Sequence, residues 1–224
     1  MIIEPKSAKK LISNIAKIDQ LISENETSLL QGEKVDLTLI TEIEEVFETA
    51  ILYRKFFNRI SDLIHAYGIL ISIPDLLEED EKIESISLGP NTSKGKYDLE
   101  TDKRIYEFKF HLWDGGSNAA RKKQLLKDYV NLVLADLEEA ESKKEKKLLL
   151  YRKEDFIKAD RFLNGNSSLQ KNLSKNIYEE LREKLNIENE HDFKSKFGTI
   201  RELHAKFSKN ISLGYLKNSN FHKN

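Results

Sequence analysis

Asp98, Glu107 and Lys109 are the residues of this chain whose types and spacing best fit catalytic chemistry. They belong to segment 97–110, in which apolar and polar residues alternate on both sides of a polar stretch at 101–104. This pattern predicts a β-hairpin with a short polar loop. The predicted cross-strand partners are 101 with 104, 100 with 105, 99 with 106 and 98 with 107. Asp98 would then lie opposite Glu107, and the two-residue period of a strand would place Lys109 on the same face.

The carboxylates of Asp98 and Glu107 would repel each other, because like charges placed opposite one another destabilise a sheet. A bound divalent cation would remove that repulsion. Mg²⁺ prefers carboxylate and water oxygens and often completes its shell with a substrate phosphate. Such ions activate water and stabilise the leaving oxygen of a phosphodiester, and an ammonium such as that of Lys109 stabilises the developing charge. The three residues therefore favour phosphodiester hydrolysis with Mg²⁺ as cofactor.

The other face of the predicted hairpin is apolar and suited to packing against helices. Its large side chains are those of Tyr97, Leu99, Tyr106, Phe108 and Phe110. This apolar face distinguishes Glu107 and Lys109 from other acid–lysine pairs of the chain. An acid two residues before a lysine is by itself a weak signal, because the chain contains so many charged residues. The same spacing recurs at Glu4/Lys6, Asp80/Lys82, Glu141/Lys143, Glu145/Lys147 and Asp192/Lys194.

Composition excludes several other kinds of site. The chain has 224 residues, no cysteine and a formal net charge of −1. The absence of cysteine excludes a disulfide scaffold, a thiolate zinc site and a cysteine nucleophile, and it is typical of a reducing cytoplasm. A nucleic-acid-binding protein with so little net charge must concentrate its basic residues locally.

Targeting and cofactor motifs are missing as well. No segment approaches about 18 uninterrupted apolar residues, and the N-terminus lacks the layout of a secretory signal. We therefore expect a cytoplasmic protein with no membrane partner. The sequence contains no Walker glycine-lysine loop and no dinucleotide-binding glycine fingerprint, so no nucleotide cofactor is expected. It also has no His-Glu-x-x-His motif and no serine-centred nucleophile elbow.

The N-terminal third is predicted to be mainly helical. Apolar residues recur at helical spacing over 6–24 and again over 37–67, where Gly68 would end the second helix. The apolar run 69–73, closed by Pro74, is predicted to be a short buried strand.

The predicted elements that follow are strands at 82–89, 97–101, 104–110 and 148–151, and helices at 118–135, 154–163 and 167–185. A helix between strands implies a mixed sheet with helices packed on its faces, and hence an α/β fold. We expect a single domain, 1–224, with a mainly helical N-terminal part (1–74), a core (82–152) and a helical, basic C-terminal part (153–224).

The core resembles a known group of enzymes. Asp98, then Glu107-Phe108-Lys109 nine residues later, on a hairpin followed by a helix and a strand, resembles the catalytic core of the PD-(D/E)xK, restriction-endonuclease-like nuclease superfamily. The resemblance covers roughly 82–152 and implies a restriction-endonuclease-like mixed sheet with helical N- and C-terminal additions. By that resemblance Asp98 and Glu107 would hold one or two Mg²⁺ ions, and Lys109 would orient the attacking water. Tyr97 stands where the superfamily usually has a proline.

Other residues are candidates for the same site. Many members of the superfamily add an acid from a helix before the core, and Glu48 could supply it, although Glu44, Glu45 and Asp62 compete for that role. His111 would continue the face of Glu107 and Lys109 and could contact phosphate or a metal, yet a lone histidine at a strand end is often incidental.

The predicted helix after the hairpin adds one more candidate. Gln124 and Tyr129 resemble the glutamine-tyrosine element of the RecB-like branch, with a spacing one residue longer, and Tyr129 fits equally well in the core.

The start of this helix is also the candidate interface for nucleic acid. Arg121, Lys122 and Lys123 are basic, and Ser117 could cap the helix at a turn where free backbone N–H groups bind phosphate readily. A solvated basic face would give the same pattern. The stretch 194–223, rich in lysine and aromatic residues, fits either an arm that follows a phosphate backbone or an ordinary helical cap.

These features together predict a Mg²⁺-dependent DNA endonuclease. The resemblance and the size favour a type II restriction enzyme that cleaves duplex DNA as a homodimer at two-fold symmetric sites. The first alternative is a nuclease of the same fold that acts in repair or recombination on DNA structures, or on RNA or in defence. The second alternative is a non-catalytic binding protein in which the charges of the hairpin are merely solvated.

Overall fold

The computed structural model describes Arg54 and residues 60–88, 95–110 and 118–216. The chain divides into two units, Met1–Ser61 and Asp62–Asn224, and almost all described residues belong to the second unit. The helix predicted over 6–24 lies outside the described residues, and the single domain predicted over 1–224 stays a prediction.

The described residues contain a five-stranded mixed sheet. Its strands are β1 (Ile83–Ile86), β2 (Leu99–Thr101), β3 (Arg104–Lys109), β4 (Glu145–Leu150) and β5 (Ile211–Tyr215). They lie side by side in the order β1-β2-β3-β4-β5. β2 is antiparallel to both β1 and β3, whereas β4 is parallel to both β3 and β5. The second unit is therefore α/β, and the sequence-based prediction of a mixed sheet is confirmed.

Helices connect and cover these strands. They are α1 (62–76), α2 (Asn118–Leu137), α3 (Lys153–Leu163), α4 (Leu169–Asn172), α5 (Lys175–Lys184), α6 (Glu190–Phe197) and α7 (Ile200–Phe207). Parallel strands require a long crossover connection. The crossover from β3 to β4 contains α2, and the crossover from β4 to β5 contains α3 to α7. No helix of the described residues is long and apolar enough to cross a membrane.

The register of the β2–β3 hairpin is the one that the sequence predicts. Leu99 pairs with Tyr106, and Glu100 pairs with Ile105. The Thr101 hydroxyl closes the turn by accepting a hydrogen bond of 2.7 Å from the Arg104 N–H. Continuing this ladder by one position brings residue 98 to residue 107.

One face of the sheet packs against α1. Leu99, Tyr106, Phe108, Phe110 and Leu149 form a buried cluster there with Ile69 of α1. Four of the five large residues predicted to share one face of the hairpin are in this cluster.

Tyr97 is the exception, because its side chain belongs to the cluster on the opposite face of the sheet. Its hydroxyl donates a hydrogen bond to Glu141. The prediction for Tyr97 was wrong because the strand begins only at Leu99, so strict alternation does not extend back to residue 97.

The opposite face packs against α2 and the C-terminal helices. Ile105, Leu148 and Leu150 of the sheet are buried there together with Leu125 and Leu132 of α2. Because residues of a strand alternate in direction, Glu107 and Lys109 share this face with Ile105. The polar side of the hairpin is therefore covered by a helix, with Glu107 buried and Lys109 partly buried.

The predicted strand at 69–73 was wrong, because these residues are helical and α1 continues through Gly68 to residue 76. A short apolar run cannot be distinguished from a helical segment by periodicity alone. Gly68 does not end the helix but lets it approach the sheet, since a Cβ atom at this position would overlap the ring of Phe110.

The C-terminal part is not wholly helical, which corrects the prediction for 153–224. Its residues Ile211–Tyr215 form β5, which extends the sheet beside β4. The helix predicted over 167–185 is divided into α4 and α5, because Leu173 and Ser174 adopt extended backbone conformations.

The close approach at Gly68 can be tested by substitution. Alanine is favoured over glycine in a helix by about 1 kcal/mol, but we expect Gly68→Ala to lower the free energy of unfolding by about 1–3 kcal/mol through overpacking. Urea denaturation would measure the change. Phe110→Leu in the same background should reduce the penalty, since the two positions contact each other. A Gly68→Ala variant more stable than the wild type would contradict the assignment.

Candidate active site

Asp98 is held from two directions. Its Oδ2 atom accepts a hydrogen bond of 2.8 Å from the backbone N–H of Phe108, and its Oδ1 atom lies 3.1 Å from Nε2 of His65 in α1. The His65 ring meets the Phe110 ring edge-on, with centroids 5.8 Å apart. The backbone carbonyl of Asp98 also accepts a hydrogen bond from the N–H of Ser87. Asp98 is therefore fixed by the hairpin, by α1 and by the segment after β1.

Glu107 is buried in β3, where it pairs in register with Leu148 of β4, and its side chain is 7% exposed. Burial raises the pKa of Glu107 to about 9, and the negative charge of Asp98 adds to the shift. Burial alone would also raise the pKa of Asp98, but the hydrogen bond from His65 and the positive charge of Lys109 bring it below its usual value. These opposite directions favour the binding of a proton by Glu107 over its binding by Asp98.

Lys109 is the third member of the predicted triplet. Its Nζ atom lies 2.7 Å from Oδ2 of Asp128 in α2 and 3.9 Å from Oε2 of Glu107. Burial alone would lower the pKa of Lys109, but the charges of Asp128, Asp98 and Glu107 raise it. Burial also raises the pKa of Asp128, and the charge of Lys109 opposes that shift. Lys109 is therefore charged at neutral pH and held chiefly by Asp128.

The site lies where β3 ends, since Lys109 is the last residue of that strand. Helix α2 runs back between the parallel strands β3 and β4, so its first turns lie near the carboxyl ends of both. Ligands of open α/β sheets bind beyond the carboxyl ends of the strands. The structure thus brings together Asp98, Glu107 and Lys109, as the sequence predicts.

The basic residues at the start of α2 differ from one another in their surroundings. Arg121 is half-buried and lies seven residues, or two helical turns, before Asp128. Lys123 is exposed. The ammonium of Lys122 lies 5.7 Å from the centre of the Phe162 ring of α3, which directs it toward that helix. The Lys122 ammonium is therefore engaged with an aromatic ring, and the Lys123 side chain is open to solvent.

Gln124 stays a prediction as a site residue. It is exposed, one turn before Asp128 on α2. Tyr129, which was paired with Gln124 in the sequence-based resemblance, is buried in the core, where its hydroxyl lies 2.9 Å from Nδ1 of His204. The other candidates, Glu48, His111 and Ser117, lie outside the described residues.

Two residues of the site were missed by sequence reasoning: His65 and Asp128. His65 lies one helical turn before buried Ile69, and Asp128 lies three residues after buried Leu125. A polar residue on the buried stripe of a helix is the signal that could have found both. The partner of each residue is distant in sequence, so the chain pattern alone could not identify it.

The donor set of the acid pair fits a hard divalent cation. Asp98 and Glu107 provide carboxylate oxygens, and Mg²⁺ is commonly bound by one or two carboxylates plus water and substrate phosphate. Two facing acids are also a place where a cation would remove repulsion. No group of three or more histidine or acidic residues arranged to hold a metal occurs among the described residues. The fit therefore depends on two carboxylates.

Comparisons of the chain with protein-family models, with curated proteins and with solved structures found no match.

The raised pKa of Glu107 predicts how stability depends on pH. The ordinary pKa of the Glu107 carboxyl is 4.5, and its pKa in the folded protein is about 9. Between these two pH values the folded state keeps a proton on Glu107, whereas the unfolded state has lost it. Stability should fall over this window as pH rises, by at most about 1.4 kcal/mol per pH unit. Glu107→Gln mimics the protonated carboxyl and should remove this dependence.

Chemical denaturation of the wild type and of Glu107→Gln at several pH values would measure the effect. The variant should be the more stable protein at pH 8 and should lose that advantage near pH 4.5. Parallel stability curves for the two proteins between pH 5 and 9 would show that the Glu107 carboxyl is not perturbed by folding. Glu145→Gln is the control, because Glu145 is an exposed acid on the neighbouring strand.

Proposed function

We propose that this protein is a Mg²⁺-dependent endonuclease with a restriction-endonuclease-like fold that hydrolyses phosphodiester bonds in DNA. The observation that carries the proposal is the pair of buried Glu107 and partly buried Asp98, with the ammonium of Lys109 beside it, 3.9 Å from Glu107. Removing facing acids and a lysine from water costs desolvation free energy, and such groups are concentrated at functional sites. Hydrolysis of a phosphodiester uses all three.

The fold supports the proposal. Three antiparallel strands, a crossover helix and a parallel strand follow one another in the order that the resemblance implies. Glu107 lies on the third of these strands and Asp98 directly precedes the second, near the carboxyl end of β3, where ligands of α/β proteins bind.

The roles of the residues follow from their positions. Mg²⁺ held by Asp98 and Glu107 would polarise a phosphate oxygen and lower the pKa of a bound water. Asp98 is kept in place by the Phe108 N–H and His65. Glu107 must release its proton to bind a cation, so metal binding should strengthen as pH rises toward 9. Lys109 stays charged and offers its ammonium to the negative charge that develops on phosphate.

Basic side chains in the first turns of α2 are the proposed contacts for the nucleic-acid substrate. Arg121 and Lys123, in the first turns of α2, would attract the phosphate backbone of a nucleic acid. Such contacts position the substrate but carry no sequence information. Within the nuclease class we propose cleavage of duplex DNA by a restriction enzyme, and action as a homodimer stays a prediction.

Cleavage assays with matched variants test the proposal. Asp98→Asn, Glu107→Gln and Lys109→Ala should each lower the cleavage rate by about 10²–10³-fold in Mg²⁺, as loss of a charge-stabilising group does. Lys147→Ala is the matched control: Lys147 has the same spacing from an acid, on neighbouring β4, and its Nζ atom pairs with Glu145 at 3.3 Å. That control should keep its rate within about twofold, since surface pairs contribute little.

Substrate and metal panels separate the alternatives. Plain duplex, branched DNA and RNA should be digested side by side in Mg²⁺ and in EDTA. Discrete fragments from plain duplex only in Mg²⁺ would support a restriction enzyme, and selective cleavage of branched DNA or RNA would favour the other nucleases. Equal products from wild type and all three site variants would refute the proposed chemistry.

A further inference from the structure

Asp128 is an acidic residue on the buried stripe of α2. Leu125, Tyr129 and Leu132 on either side of it are in the core between α2 and the sheet. Its side chain is only 11% exposed. A carboxylate in such a place is retained only where it is paired with a positive charge.

The partner of Asp128 is Lys109, and the distances show which acid holds the ammonium. The Nζ atom lies 2.7 Å from Asp128 but 3.9 Å from Glu107. Lysine has a flexible four-carbon stem, so its ammonium settles beside whichever negative charge is nearest. Without Asp128 the nearest acids would be Asp98 and Glu107.

We propose that Asp128 is a positioning residue that holds the Lys109 ammonium away from the Asp98–Glu107 pair, so that a divalent cation can bind there. This inference rests on the proposed function, because it names the device that keeps the cation site open. Asp128 acts through Lys109 and is not a ligand of the cation. Removal of the Asp128 charge would release the ammonium to compete with the cation for the two acids.

A second buried pair on the same helix provides a matched control. Asp136 of α2 binds Lys146 of β4 at 2.8 Å, and the Lys146 side chain is 1% exposed. Asp136→Asn therefore breaks the same kind of ion pair between the same helix and the same sheet. Asp136 lies about two helical turns after Asp128 on α2, and so farther from the acid pair.

The test measures cation binding in the absence of DNA. Titrations of Mg²⁺ and of Ca²⁺ at pH 8, followed by the thermal unfolding midpoint, give apparent affinities for the full-length protein and its variants. We expect Asp128→Asn to weaken cation binding about tenfold or more. Asp136→Asn should lower the midpoint without changing the affinity for either cation.

Removal of the lysine charge distinguishes positioning from ligation. Lys109→Met should bind the cations at least as tightly as wild type, and Lys109→Met/Asp128→Asn should bind them as tightly as Lys109→Met alone. The double variant leaves no unpaired buried charge, so it should fold even if Asp128→Asn does not. A double variant that binds more weakly than Lys109→Met would make Asp128 a ligand and overturn the proposal.

Failure of this inference and failure of the proposed function give different results. A wild type stabilised by Mg²⁺ or Ca²⁺, with Asp128→Asn unchanged in affinity, would overturn the positioning role alone. A wild type that neither cation stabilises, and that cleaves no nucleic acid, would overturn the proposed function and the inference with it.

Discussion

Desolvation of charged side chains at the end of β3 is the constraint on which the rest of the site depends. Glu107 and Lys109 lie on a strand that is covered by helices, so neither can rely on water for solvation. The compensating contacts come from other elements: Asp98 beside β2, His65 in α1 and Asp128 in α2. Each of these elements must therefore dock in one register, because a buried charge that loses its partner costs about 3–5 kcal/mol.

The contacts from these elements do not remove all of the unfavourable electrostatic free energy of the site. Asp98 and Glu107 remain two acids held close by the ladder of the hairpin, and the pKa of Glu107 is raised. A site of this kind stores unfavourable free energy in the folded protein. A cation bound by the two carboxylates, as we propose, would release this free energy and would gain binding affinity from it. The burial that raises the pKa of Glu107 also makes binding compete with a proton.

The contacts of the fold and of the site that could be predicted from the sequence are those between residues that are close along the chain. The Leu99–Tyr106 register follows from a short turn and local alternation, and so does the position of Asp98 relative to Glu107. The partners His65 and Asp128 depend on how α1 and α2 dock, which no local pattern encodes. Gly68 was misassigned for the same reason. In the sequence a glycine at this place indicates a helix end, but its function in the fold is to let α1 approach Phe110, which depends on tertiary packing.

The two buried aspartate–lysine pairs of α2 show why residue types alone do not identify a functional site. Lys146 has two close partners, Asp136 at 2.8 Å and the Ser142 carbonyl at 2.9 Å, and Asp136 accepts a further hydrogen bond from Asn210. That pair is satisfied within itself, as a structural pair should be. Lys109 has Asp128 on one side and a carboxyl of raised pKa on the other. The two pairs have the same chemistry, and they differ in the raised pKa of the carboxyl of Glu107 beside Lys109. That neighbour is the reason for placing the proposed ligand site at Lys109 and not at Lys146.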